Sequence, residues 1–274
     1  MTDFDLFAPE RLLTIPAAVI PGIALLIFFY KRDYYPEPRD LLIKTFLLGV
    51  AATILVVIPE ELLSLIRGLL IDTHPLIIGG FTAFGMAAIP EEGMKFLVLT
   101  RYSAKKPAFD EPMDGVVYGA TMALGLAAVE NLYYVMDCYH TAGCQAWQRA
   151  LLRGVFSVPA HALFGASMGY FVGRAKFVRR RWHLAYLVPA SLVVPWVFHG
   201  VYDNLCSYVG ATSGWIALGA ISLAMWVFVA LAITRALRRS PFKPGHGEGD
   251  GDGDRDANAD AAEAAADSEP TSGR

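Results

Sequence analysis

Residues 214–234 read GWIALGAISLAMWVFVALAIT, twenty-one positions without a charged side chain. A helix rises about 1.5 Å per residue, so about 20 residues cross the roughly 30 Å hydrocarbon core of a bilayer. The stretch lacks the apolar–polar alternation of a membrane strand. Hydrocarbon tolerates no unpaired backbone groups, so a helix is the spanning form left to it. Six further stretches read the same way: 12–30, 41–58, 76–100, 115–136, 154–173 and 184–206. The expected fold is all-α, a polytopic transmembrane helix bundle of about seven spans. Composition agrees: 55% of the chain is apolar and 18% charged, against about 45–50% and 25% in soluble domains.

Lys and Arg in the short loops orient the bundle. Loops after the first, third, fifth and seventh spans hold sixteen of them, including Lys31, Arg32, Lys105, Lys106 and Arg179-Arg180-Arg181. The alternate side holds four, Arg11, Arg67, Arg149 and Arg153. The N-terminus is therefore expected outside, the C-terminus in the cytoplasm, and the protein in the cell membrane. Asp3, Asp5 and Glu10 stand where a cleaved signal would be basic, so the first span reads as a retained helix.

Residues 1–240 are expected to form the membrane domain and 241–274 an acidic, disordered tail. The tail carries nine acidic and three basic residues and almost nothing bulky and apolar to bury. It accounts for the net charge of −3, and the rest, at +3, offers no basic face for nucleic acid. Asp250, Asp252 and Asp254 alternate as in a calcium loop, but Arg255 and Ala261 replace its required Gly and Glu. Cys138 and Cys144 are spaced so that a disulfide is permitted without being established. Cys206 is expected as a small buried apolar residue.

Ionisable groups at bilayer depth cost several kcal/mol each, so those that remain point to function. Spans one and seven hold none. Span three holds Glu91, Glu92 and Lys95; span four Glu130, followed by Asn131; span five His161; span six His199 and Asp203. Glu91 and Lys95 are i,i+4 and share a helix face, while Glu92 is turned about 100° away. His199 and Asp203 are also i,i+4, so the carboxylate can fix the ring's tautomer, or both can face one metal. Under the assigned orientation all of these groups can reach one cavity that opens outward. Singly, each fits a structural hydrogen bond or ion pair; jointly they favour a site. The string Pro59-Glu60-Glu61 resembles Pro90-Glu91-Glu92, but it follows a complete span and is expected near the outer interface.

Two protease lookalikes are weaker. Gly165-Ala-Ser167-Met-Gly169 fits G-x-S-x-G without the strand-to-helix turn of a nucleophile elbow, and reads as small-residue helix packing. Gly247-Glu-Gly-Asp250 fits G-x-G-D but lies in the tail.

Glu91-Glu-Gly-Met-Lys95, Asp110-Glu-Pro-Met-Asp-Gly-Val-Val-Tyr-Gly119, Gly125-Leu-Ala-Ala-Val-Glu130-Asn131, His161-Ala-Leu-Phe-Gly165 and His199-Gly-Val-Tyr-Asp203 occur in that order. The ordered set, over about 85–210, resembles the PrsW family of intramembrane proteases within the CAAX prenyl endopeptidase superfamily. It departs in having Leu126 where Phe is usual. The resemblance implies peptide-bond hydrolysis in or beside the membrane, with a membrane-anchored protein such as an anti-sigma factor as substrate. Glu91 or Glu92 would be the general base, His161 and His199 the polarising groups, and Lys95, Glu130, Asn131 and Asp203 their support. A zinc version would draw on His161, His199, Asp203 and Glu130; no H-E-x-x-H motif signposts it. A proton- or ion-coupled transporter and a non-catalytic membrane scaffold are the rival readings.

Overall fold

The computed structural model describes residues 9–243, and their side chains from Thr14 onward. Residues 244–274 of the acidic tail, with its calcium-like and G-x-G-D strings, lie outside the described residues. One compact unit ends at Ser240; residues 241–243, the described start of a second, are exposed.

All regular structure among the described residues is helical. The α-helices are α1 (Pro9–Arg32), α2 (Arg39–Leu69), α3 (Pro75–Gly80), α4 (Ile89–Arg101), α5 (Pro112–Asp137), α6 (Ala146–Leu152), α7 (Val158–Phe177), α8 (Leu184–Cys206) and α9 (Thr212–Arg238). Six helical stretches are long and apolar enough to cross a membrane: Thr14–Arg32, Arg39–Leu69, Pro112–His140, Ala146–Phe177, Arg181–Cys206 and Thr212–Arg238. This is a multi-pass membrane protein. The remaining apolar stretch, expected as the third span, is helical from Pro75 to Arg101 but changes pitch midway, with π-helix over Phe81–Ala88.

That change of pitch has a local cause. A proline inside a helix lacks an N–H and its ring crowds the carbonyl four residues earlier, and a widened turn relieves the clash. Pro90 stands two residues after the π stretch Phe81–Ala88, and Pro159 two residues after a second one, Arg153–Ser157. Each widened turn delivers the next residues inward: Glu91 and Glu92 in one case, His161 in the other.

Helices α5 and α7 form the centre. In an 18-residue apolar window of each of their stretches 89% and 78% of the residues are buried, whereas in the other four stretches the share is 17–28% and apolar side chains turn outward. Ile20, Ile54, Leu55, Ile58, Ile216 and Leu223 belong to that outer belt, which suits lipid. Between α5 and α7, a Cβ added at Gly115, Gly119, Gly165 or Gly169 would overlap the carbonyl oxygen of the facing glycine. The backbones touch there, as small-residue spacing in membrane helices allows. The G-x-S-x-G string is part of this seam; Ser167 is buried and its hydroxyl donates to Phe164 O at 2.8 Å.

Two expectations change, and one question left open by the sequence is answered. Helix α2 continues to Leu69, so Glu60 and Glu61 lie within it and not beyond a finished span. Cys138 and Cys144 are joined as a disulfide. Cys206 is exposed, because it ends α8 where the chain turns toward α9 instead of facing the core.

Candidate active site

The first turns of α4 carry Glu91, Glu92 and Lys95, and all three are buried. Lys95 Nζ donates to Glu92 Oε1 at 2.6 Å and to Glu91 Oε2 at 3.1 Å. The ammonium thus serves both carboxylates, not Glu91 alone. Removing two adjacent carboxylates from water is costly unless a cation and hydrogen bonds compensate them, and Lys95 supplies both.

Helix α8 brings His199 against this group. Its Nδ1 is 2.8 Å from Glu92 Oε1; its Nε2 is 3.2 Å from Asp203 Oδ2 and 4.0 Å from Glu91 Oε1. The Phe164 ring stacks on it at 4.7 Å between centroids. Helix α7 brings His161, whose Nε2 is 2.9 Å from Glu130 Oε2 on α5. Its Nδ1 is 3.7 Å from Glu91 Oε2 and 3.5 Å from Lys95 Nζ. The two imidazoles lie 5.5 Å apart. Asn131 joins through the backbone and Arg153: its amide nitrogen donates to Ala18 O at 2.6 Å, and its Oδ1 accepts from Arg153 Nε at 2.9 Å. All eight residues singled out from sequence therefore fall in one connected network.

Two members were not singled out. Arg153 reads in sequence as a loop charge, yet it lies 3.4 Å from Glu130 Oε2 and packs over the Tyr134 ring. It sits eight residues before His161, about two helical turns on the same side, and that spacing was the available signal. Glu60, expected at the outer interface, is half-buried on α2 within electrostatic reach of Glu91, Glu130 and His199. Its signal was the repeated Pro-Glu-Glu string.

The charge balance bears on a metal. Glu91, Glu92, Glu130 and Asp203 face two permanent cations, Lys95 and Arg153. With neutral imidazoles the cluster keeps an excess of negative charge, which a divalent cation would offset. Glu92 Oε2 is also buried without a hydrogen-bond partner. Two sets bring their donor atoms within 4.8 Å of one another: Glu91, Glu92 and His199, and Glu91, Glu130 and His161. Carboxylate and imidazole donors suit zinc, so the residues fit such an ion. The zinc set expected from sequence is divided, however. The histidines fall in different sets, Asp203 is in neither, and Glu91 is in both.

Beside Glu92 a groove of about 260 Å³ runs between α4 and α8, lined by Ala88, Ile89, Gly93, Leu192, Val193 and Trp196. Its wall is almost wholly apolar.

Comparison with known proteins finds relatives of this chain. A model of the PrsW family of intramembrane metalloproteases matches residues 37–233. The chain is 36% identical over 216 residues to a protein named Protease PrsW from Geobacillus kaustophilus, covering 77% of this chain and 87% of that one. It is 33% identical over 205 residues to the Bacillus subtilis protein of that name, covering 74% and 85%. A Clostridioides difficile relative is 30% identical over 187 residues, covering 68% and 76%. No solved structure matches the chain.

Proposed function

Because this chain belongs to the PrsW family of intramembrane proteases, we propose that its glutamate–histidine cluster hydrolyses a peptide bond of a membrane-anchored protein, within or beside the bilayer. One observation carries the reading: Glu91 lies within 4.0 Å of both His161 and His199, and Glu92 within hydrogen-bonding distance of His199, although the residues come from three different helices.

Glu91, shared by both imidazoles and Lys95, is the general base that takes the proton of the attacking water. Glu92 is anchored through Oε1 by Lys95 and His199, and its unpartnered Oε2 orients that water. His161, held between Glu91 and Glu130, carries the proton to the leaving amine. His199, its Nδ1 held by Glu92, turns its Nε2–H from Asp203, 3.2 Å away, to the oxyanion that forms on the scissile carbonyl. Asn131 and Arg153 hold Glu130 in place. Held by Glu91, Glu92 and His199 or by Glu91, Glu130 and His161, a zinc ion would supply Lewis acidity at the carbonyl. The apolar groove beside Glu92 suits a substrate segment arriving from the lipid side.

The sixteen-to-four bias of Lys and Arg supports an N-terminus outside, a cytoplasmic C-terminus, and the stretch Pro75–Arg101 as a seventh crossing of the cell membrane. An anti-sigma factor with a single span is the substrate class that fits a cut on the outer side.

The test is co-expression with a tagged single-span anti-sigma factor. The substrate should shorten with the intact enzyme and stay full length with Glu92→Gln at equal enzyme abundance. Shortening that persists in both Glu91→Gln and Glu92→Gln variants would overturn the assignment. Chelation with metal analysis of the purified protein decides the zinc question: full activity without bound metal excludes it.

A further inference from the structure

The Asp110–Gly119 motif takes no part in the chemistry above, yet it builds a second buried cluster. Glu111 caps α5 and Asp114 lies in its first turn. The loop between α1 and α2 folds over that end and contributes Asp33 and Glu37. All four carboxyls are buried, Asp33 at 8%, Glu37 at 4%, Asp114 at 1% and Glu111 at 0% exposure. Asp33, Glu37 and Asp114 each place one oxygen within 4.8 Å of the others.

No lysine or arginine among the described residues forms an ion pair with any of the four. Lys176, which lies on the same side, instead donates to the carbonyls of Ala104 and Phe109, at 2.7 and 2.6 Å. One Asp114 oxygen accepts from the N–H groups of Asp110 and Glu111, at 2.6 and 2.7 Å, and Glu37 accepts from the Tyr118 hydroxyl. The other Asp33 oxygen, Oδ1, accepts from the Tyr35 N–H at 3.3 Å, and beyond these, donors run out. Asp33 Oδ2, in a carboxyl that faces Glu111 and Asp114, has no partner. The Glu111 carboxyl leans over the Asp114 N–H in a capping box, but neither of its oxygens completes a hydrogen bond.

Buried carboxylates that outnumber their donors need either shared protons or a cation. Three oxygens within 4.8 Å of one another can share one ion at the 2.3–2.6 Å of calcium–oxygen bonds. The donor set is all oxygen, with no His or Cys, which selects hard cations over zinc. We propose that Asp33, Glu37 and Asp114, with Glu111 beside them, bind one divalent cation of the calcium–magnesium–manganese class. The site is separate from the glutamate–histidine cluster. Asp114 and Glu130 are sixteen residues apart on α5, about 24 Å along its axis. A cation there ties the α1–α2 loop to the start of α5, the helix that carries Glu130.

Mn2+ titration of the purified full-length protein, followed by electron paramagnetic resonance, tests this. A Glu91→Gln/Glu92→Gln/His161→Ala variant, disabled at both other ligand sets, should still take up one equivalent of Mn2+, with Ca2+ or Mg2+ competing. Adding Asp33→Asn should weaken that uptake tenfold or more, since affinity follows the number of charged ligands. If these variants do not fold, the wild-type chain still decides. A saturating divalent cation should raise its unfolding midpoint by about 5 °C, with Mg2+ as effective in kind as Mn2+ and zinc not required. Uptake unchanged by Asp33→Asn, or a wild-type midpoint indifferent to Ca2+, Mg2+ and Mn2+, overturns the proposal and leaves a cluster neutralised by shared protons.

Discussion

Lys95 is the residue on which the cluster turns. It is fully buried and touches Glu91, Glu92 and His161. Lys95→Met is expected to destabilise the protein by about 3–5 kcal/mol, the usual cost of leaving buried charges without their partner; thermal unfolding in detergent measures it. Glu91→Gln and Glu92→Gln are expected to lower cleavage by about 100-fold or more while leaving a folded chain, so substrate cleavage per folded enzyme is the quantity to compare. At this scale the sequence was informative. Charges inside apolar runs are expensive, so Glu91, Glu92, Lys95, Glu130, His161, His199 and Asp203 stand out without any structure. What could not be read was pairing between helices. That Lys95 bridges both glutamates, or that Arg153 reaches Glu130, depends on rotation and tilt, which spacing along one helix does not set. Likewise the carboxyls of Asp33 and Glu37 lie in a polar loop, where charged residues are ordinary and draw no notice.

Among the elements, the α5–α7 pair is the most constrained. Gly169→Val would place a branched side chain against the Gly115 carbonyl, forcing the backbones apart; loss of folded protein is expected, by yield and by size-exclusion profile. Gly219→Ala on α9, which meets nothing within 4 Å, should leave both unchanged. Spans were legible because apolar length is a strong signal. The π turns before Pro90 and Pro159 were not, since nothing in the composition of Phe81–Ala88 distinguishes a wide turn from an ordinary one; only the proline that follows gives a reason for it. The extension of α2 to Leu69 was missed for a related reason: Glu60 and Glu61 look like an interface when read as isolated charges, and like a helix only once Glu60 is seen facing other acids.

For the whole molecule, the second carboxylate cluster couples stability to pH. Burial pushes the Asp33 carboxyl up to about 8, with Glu111 and Asp114 adding to the rise. Burial likewise pushes Glu37 up to about 7, with Asp33 and Asp110 adding to it and hydrogen bonds from Tyr118 and Asp114 working against it. The ordinary values are 3.8 and 4.5. Below these, folded and unfolded chains hold the protons alike and the contribution is whole. As pH rises toward 7–8 the unfolded chain has released protons that the folded one retains, so stability falls. In chelator, the unfolding midpoint should therefore decline between about pH 5 and 8; Mg2+ or Ca2+ should flatten that decline, and a profile identical with and without cation would contradict it. The glycine seam has a mechanical corollary. With their backbones in contact at the facing glycines, α5 and α7 form a keel that cannot part without opening that seam. Glu130 and His161 ride on that keel, while Glu91, Glu92 and His199 ride on the outer staves beside the apolar groove. Admitting a peptide must then be the work of the staves, and each turnover would reassemble the two glutamates and His199 against a fixed half-site.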